Sequence, residues 1–443
     1  MAECTVGIDI GTTAVKAVAA DGDGTVLARA RVPHELRVPA PDRLEHDPDE
    51  AWRAGVRQAY AEVSQDHRVL AANVAAMVPS LTAVAADGSA RAPGLLYGDG
   101  RGRDPEHTTG NPAERGELVR FLRWLTTEVP GAAGYWPAQA VANHALCGRA
   151  AIDTVTAMTT VPLFDYRGWD SAVVAAAGAD PAQLPDLVPG AEAAGTIEGT
   201  TTLLGGGTID AFAEQLVAGA DRAGDVLVIC GTTLITWVVV PDWREAPGLW
   251  TVPHTAAGLS LIGGPSNAGG LFLNWASGLV PPAAAGDGPV DPGAVPVWTP
   301  YPRGERTPLH DPDRRAGIHD LDLTQGAAAL RRAAFEAAGF VVRHHLDLAG
   351  AAPTRIVATG GGVRVDEWLA ALADCTGVPV DVVAVPEGGA LGAAFLARVT
   401  AGLEEHATDA GRWARTSRTV EPNPTWVGPA AARYERFRQL SAG

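Results

Sequence analysis

A run of β-branched and small apolar residues, Thr5 to Ile10, leads into the turn Gly11-Thr12-Thr13 and then a second apolar run, Ala14 to Ala20. The same module returns as Asp225 to Cys230, Gly231-Thr232-Thr233 and Leu234 to Val240. A strand, tight turn, strand unit met twice predicts two similarly built domains that face each other. Length agrees, because 443 residues exceed the ~250–300 at which a single core stops growing. A cleft between two domains is a natural ligand site. Asp21-Gly22-Asp23-Gly24 closes the second run and Thr25 to Val32 reads as a third strand. Three strands on tight turns make an antiparallel meander, unlike the strand and helix alternation of a dinucleotide-binding start.

Asp47-Pro48-Asp49-Glu50 suits a helix start, and Trp52, Val56, Tyr60 and Val63 then fall on one face. Asn73 to Val84 alternates loosely, and Gly94 to Tyr97 reads as a strand ending at Gly98-Asp99. Asp322 to Ala349 has a long helical pattern, Arg355 to Ala358 is a strand, and Gly360-Gly361-Gly362 precedes a helix around Trp368, Leu369 and Leu372. The Pro, Gly and Ala-rich stretch from Pro281 to Pro296 reads as a surface loop.

Composition removes several function classes. A hydrophobic fraction of 47% with 19% charged residues is that of a packed chain. The net charge of −17 argues against nucleic acid or an anionic membrane as partner. Anionic ligands must then be held locally, by backbone N–H groups, single cations or metal. Cys4, Cys147, Cys230 and Cys375 form no CxxC pair, and Met1-Ala2-Glu3 begins no signal peptide, so reduced thiols in the cytoplasm are expected. Ala-rich stretches are broken before they reach a membrane span. Lys16 is the only lysine. That excludes a Walker A loop, which needs GK[ST], and a protein kinase, which needs its strand lysine with HRD and DFG motifs. Either position 16 needs a compact point charge, or Arg has replaced Lys everywhere else.

Asp9 stands at a strand end beside Gly11-Thr12-Thr13, a turn whose backbone can approach closely and cradle a phosphate. An ordinary hairpin also accounts for it, but its return at Gly231-Thr232-Thr233 favours two turns gripping a triphosphate. Asp9 would then hold Mg²⁺ through water, since magnesium takes carboxylate and phosphate oxygens and keeps several waters. Gly205-Gly206-Gly207 precedes Asp210 and a helix. A helix cap and a base for a sugar hydroxyl are both open to this carboxylate. Small residues at 360–362 and at 388–394 either let a flat ring lie on backbone or let helices pack tightly. Their order after two phosphate-type turns points to an adenine pocket.

The order of these motifs resembles the FGGY carbohydrate kinases over roughly residues 5 to 400, nearest the xylulokinase-like members. The resemblance rests on Gly7 to Thr13 through Lys16, Glu45-His46-Asp47-Pro48 with Trp52, Leu95 to Asp99 with Arg101, and Leu163-Phe164-Asp165. Gly206-Gly207 with Asp210, Gly231 to Thr233, Gly269-Gly270 with Trp275, and Pro300-Tyr301 with Gly304 to Pro308 continue it. Gly360 to Gly362 and Glu387 with Ala390 to Ala394 complete it.

It implies an α/β fold of two ribonuclease-H-like, actin-like ATPase domains around a central cleft: 1–218 on the sugar and phosphate side, 219–403 on the nucleotide side, and a 404–443 tail with a short helix. It further implies ATP and Mg²⁺, with Asp210 as general base and Asp9 at the metal. ATP contacts fall at Gly11, Thr12, Thr13, Gly231, Thr232, Thr233, Gly361, Gly362, Arg364 and Ala390. Sugar contacts fall at Val78, Pro79, Asp99 and Asp210. The expected substrate is a ketopentose such as xylulose, with a homodimer an open arrangement. Another polyol or ketose, glycerol or ribulose, and a non-catalytic nucleotide sensor of the same fold are the alternatives. The chain departs from the xylulokinase pattern at Met77-Val78-Pro79-Ser80, where that group carries Gln-Met-His-Gly, and at Ala211, where many members place Asn or Gln.

Overall fold

The computed structural model describes residues 2–102, 117–190, 192–254, 258–280 and 289–442. Residues 281–288 of the expected Pro281 to Pro296 loop lie outside them. The chain forms two compact units, Met1–Val217 with Glu387–Trp413, and Ala218–Pro386 with Ala414–Gly443.

In chain order the elements that matter begin with β1 (Glu3–Ile10), β2 (Ala14–Ala20), β3 (Val26–Pro33), α1 (Gly55–Ser64), β4 (Arg68–Ala76) and α2 (Ala138–Cys147). β5 (Leu203–Gly205), β6 (Thr208–Ile209), α3 (Asp210–Ala218), β7 (Asp225–Cys230), β8 (Leu234–Val240), β9 (Ser260–Ser266) and α4 (Gly270–Leu279) follow. Last come α5 (Ala327–Leu348), β10 (Arg355–Thr359), α6 (Asp366–Thr376), β11 (Val380–Val383), α7 (Gly388–Thr400), β12 (Thr416–Val420) and α8 (Pro424–Ala442).

The sheets show that the repeat read in the sequence extends to topology. In the first unit β1 pairs antiparallel with β2, β2 antiparallel with β3, β1 parallel with β4, and β4 parallel with β5. In the second, β7 pairs antiparallel with β8, β8 antiparallel with β9, β7 parallel with β10, and β10 parallel with β11. The sheets thus share one five-strand order, with a Gly-Thr-Thr turn at the same hairpin of each. β1 and β7 are central strands flanked on both sides, and their residues read as near-continuous apolar runs.

The helix expected after the meander is present, its first turn wound as a π-helix over Asp49–Ala54. Asp47 Oδ1 accepts the Asp49 and Glu50 amides, and Trp52, Val56, Tyr60 and Val63 are all buried. The loosely alternating 73–84 region resolves into β4 and a separate strand, Ser80–Val84, parted at Met77-Val78-Pro79.

Two expectations change. α7 does not stay with the C-terminal strands that precede it, because it packs in the first unit between β1 and α3. Small residues make this possible: a Cβ at Gly7 would meet the Ala390 carbonyl oxygen at 1.8 Å, and one at Gly392 would meet the Ala213 carbonyl oxygen at 1.8 Å. The 404–443 tail, expected to carry a short helix, carries β12 and the 19-residue α8. β12 pairs antiparallel with β11, and α8 buries Tyr434 and Phe437 against Phe340 of α5. Arg433 on α8 gives its guanidinium to buried Glu336, at 2.7 Å from each carboxylate oxygen. Pro429 within the helix and the charged residues around it concealed this segment's apolar stripe.

Candidate active site

Register brings the first set of expected residues to one edge. Across β1 and β4, Asp9 stands beside Ala75 and Ile10 beside Ala76; across β6 and β4, Thr208 stands beside Ala75 and Ile209 beside Ala76. Three parallel strands therefore end level, and the residues that follow them are Gly11, Met77 and Asp210. Ligands of open α/β sheets bind beyond such carboxyl ends. Strand spacing sets Gly11 and Asp210 about 10 Å apart, and between them β4 runs out through Met77 into Val78 and Pro79. Both of these are half-buried.

The edge is built by buried amides that sequence reasoning did not single out. Gln139 on α2 donates its Nε2 to the carbonyls of Ala76 and Thr208, each at 3.1 Å, tying the ends of β4 and β6 together. Asn73 accepts the Gly207 amide at 2.9 Å, and Asn143 donates to the Gly206 carbonyl at 3.0 Å. The glycine run is thus pinned at a fixed height, which places Asp210 at the first position of α3. Asp210 Oδ1 takes the Ala211 amide at 2.7 Å.

Asp9 is buried. Its Oδ2 lies 3.6 Å from the Lys16 ammonium, its register partner on β2, while its buried Oδ1 meets no hydrogen-bond donor among the described residues. Burial pushes the Asp9 carboxyl above its ordinary range, with Lys16 pulling it back down. Gly389 at the start of α7 lies so near that a Cβ there would be 3.0 Å from the Asp9 carboxyl carbon. The positive end of a 13-residue helix therefore faces the carboxylate. A buried carboxylate oxygen left unsatisfied is costly unless a ligand completes it, and a hydrated cation fits this donor set.

The first turn is held from behind. His34 Nε2 lies 3.1 Å from the Gly11 carbonyl oxygen and His46 Nε2 lies 2.8 Å from that of Thr12. Tyr97 shares a 2.8 Å hydroxyl hydrogen bond with Thr12 Oγ1. Thr13 is exposed. Of these supports, His46 and Tyr97 stand in motifs visible in the sequence, but nothing in their spacing marks them as partners of Thr12.

In the second unit the turn Gly231 to Thr233 is held by a helix end. The Gly270 and Leu271 amides of α4 donate to the carbonyls of Gly231 and Thr232 at 2.8 and 3.1 Å. Buried Glu305 takes the Ser266 hydroxyl and the Asn267 and Arg306 amides, fixing the end of β9 opposite Leu234. Burial pushes its carboxyl up to about 7. The turn at 360–364 lies close by: a Cβ on Gly362 would be 2.7 Å from the Cys230 carbonyl oxygen, immediately before Gly231. Gly361 and Arg364 are exposed there, and a Cβ on Gly361 would meet nothing within 4 Å.

Two expected site residues take other roles. Ala390 lies in the first unit, wholly buried, with its carbonyl against Gly7 of β1. Asp99 is wholly buried and fully engaged: Arg101 grips both its oxygens at 2.9 and 2.6 Å, and the Leu44 amide adds 2.8 Å. Arg101 also reaches Glu45 at 2.6 Å and lies over Trp124. Asp99 therefore anchors a buried ion network.

Comparison with known proteins finds a likeness in both units. Residues 4–87 match the N-terminal domain of the FGGY family of carbohydrate kinases, and residues 226–401 match its C-terminal domain. A xylulose kinase from Escherichia coli (strain K12) is 26% identical over 98% of each chain. A gluconokinase from Bacillus subtilis (strain 168) is 25% identical over 89% of this chain and 87% of its own. The solved gluconate kinase of Lactobacillus acidophilus superposes with a TM-score of 0.82 at 20% identity, over 100% of this chain and 98% of that one. Its likeness gives the fold, two domains of the actin-like ATPase kind.

Proposed function

We propose that this chain, which belongs to the FGGY family of carbohydrate kinases, uses ATP to phosphorylate a hydroxyl of a ketopentose of the xylulose kind, with Asp210 as general base. The observation that carries the reading is the level ending of β1, β4 and β6, which puts Asp9, the 77–79 segment and Asp210 on one edge. Phosphoryl transfer needs positioning and charge stabilisation more than covalent chemistry. In this reading the amides of Thr12, Thr13, Thr232 and Thr233 bind phosphate oxygens, with Gly361, Gly362 and Arg364 on the nucleotide. Val78 and Pro79 line the sugar side. Asp210 accepts the proton of the attacking hydroxyl, and the Ala211 amide on Oδ1 orients its carboxylate.

Asp9 would hold Mg²⁺ through water, and its unpartnered Oδ1 beside Lys16 suits that role. When bound, the ion neutralises charge on the phosphates. The cysteines, three of them buried, fit an enzyme of the cytoplasm as reduced thiols.

A second reading concerns the sugar alone. The apolar pair Val78 and Pro79 stands where the xylulokinase signature is altered, and gluconokinase is among the relatives. ADP release in a coupled assay across xylulose, ribulose, gluconate and glycerol tests both. The highest kcat/KM is expected with a ketopentose. Turnover confined to gluconate or glycerol overturns the sugar, and no turnover with any of a broad panel of sugars and polyols overturns the catalytic reading in favour of a sensor.

A further inference from the structure

The two histidines behind the first turn do more than fill a core. A trans peptide is planar, so its C=O and the following N–H point in opposite directions. With the Gly11 carbonyl drawn toward His34 and the Thr12 carbonyl drawn toward His46, the amides of Thr12 and Thr13 must face the other way. Successive backbone N–H groups turned outward form an anion nest. The second unit reaches the same end by other means, since the first amides of α4 draw the Gly231 and Thr232 carbonyls.

This device works only if each imidazole presents an N–H to its carbonyl. For His46 the tautomer is fixed by a third residue. The Trp52 indole can only donate, and it reaches His46 Nδ1 at 3.0 Å, so Nδ1 carries the lone pair and Nε2 carries the proton aimed at Thr12. The rings of His34 and His46 meet edge to face with centroids 4.5 Å apart, which keeps either from rotating. Burial and the neighbouring His34 hold His46 neutral. Trp52 is itself wholly buried, and Gly94 lies against its ring.

We propose that His46, with its tautomer set by Trp52, is a positioning residue that aims the Thr13 amide at the nucleotide phosphates, His34 serving the Thr12 amide in the same way. The inference rests on the reading of Gly11 to Thr13 as a phosphate turn. It separates His46 from a residue that merely satisfies a buried indole, because the proton on Nε2 and not the bulk of the ring carries the effect.

The test is titration calorimetry of full-length protein with MgATP, alongside melting temperatures. His46→Leu removes the donor and should weaken MgATP binding about tenfold, the value of one lost orienting hydrogen bond. His46→Gln returns an N–H to the Thr12 carbonyl and an oxygen to the indole, and should recover affinity to within about threefold of the parent. Trp52→Phe keeps a ring but frees the tautomer, so it should weaken MgATP while nitrogen NMR of the His46 ring shows an Nδ1–H form absent from the parent. Should His46→Leu fail to fold, Trp52→Phe against His46→Gln carries the comparison. Parent-like affinity in His46→Leu or Trp52→Phe overturns the inference alone, as does equal loss in His46→Gln and His46→Leu. A parent that binds no MgATP overturns the phosphate-turn reading and this inference with it.

Discussion

Replacing Gly392 with Ala sets two physical effects against each other. In an exposed helix interior, Ala is favoured over Gly by about 1 kcal/mol, so α7 by itself gains from the change. The structure predicts the opposite sign. The new Cβ would lie 1.8 Å from the Ala213 carbonyl oxygen and 2.5 Å from its carbon, both backbone atoms of α3. Ordinary contact is restored only if the two helices separate by about 1.5 Å. α7 is also held on its other face, where Gly7 of β1 meets Ala390 and Ala394, so the movement falls on α3 and on Asp210 at its start. Overpacking of this kind costs about 1–3 kcal/mol, and a shift of ~1 Å in a catalytic group costs about 10²-fold in rate. Urea unfolding and steady-state kinetics on the purified variant should show lower stability and a fall in kcat. A Gly392→Ala protein as stable as the parent would refute the reasoning, since propensity would then outweigh the clash.

Gly361→Val should leave stability within about 1 kcal/mol of the parent's in thermal melts, because its Cβ enters open space. If the 360–364 turn carries nucleotide, MgATP affinity should drop at least several-fold in calorimetry; unchanged affinity would remove Gly361 from the site. Glu305 gives a pH dependence. Its folded carboxyl is pushed up to about 7 by burial, so the stability it contributes is present in full below its unfolded value and is lost as pH rises through 7. The change is about 3 kcal/mol at most. Glu305→Gln should flatten stability between pH 5 and 8 in thermal melts, and parallel curves for the two proteins would contradict this.

The elements were legible wherever local pattern and tertiary demand agree. β7 and β8 begin and end where their apolar runs do, and the buried face of Trp52, Val56, Tyr60 and Val63 follows from helical period alone. Asp9 and Asp210 could be picked out by their neighbours, but not their shared edge, which depends on the parallel register of three strands distant in sequence. Small-residue runs were ambiguous for a physical reason: backbone approach by a ring and backbone approach by a helix select the same residues. For Ala390 helix packing won, and for Gly361 open space remains. Asp99 was ambiguous in the same way, because a buried ion network with Arg101 needs the same residue types as a polar contact to a sugar. The roles of Gln139, Asn143 and the two histidines could not be found, since what they hold at the strand edge and the turn are backbone carbonyls, which carry no side-chain signature.

The central claim is that Asp210 takes the proton from the sugar hydroxyl, and Asp210→Asn tests it most directly. Asn keeps the shape and caps a helix about as well as Asp, so melting temperature and MgATP affinity should stay close to the parent's. With the best sugar from the panel, kcat should fall by about 10²- to 10⁴-fold, the contribution of a general base. Retained turnover in Asp210→Asn, with binding and stability unchanged, would contradict the account.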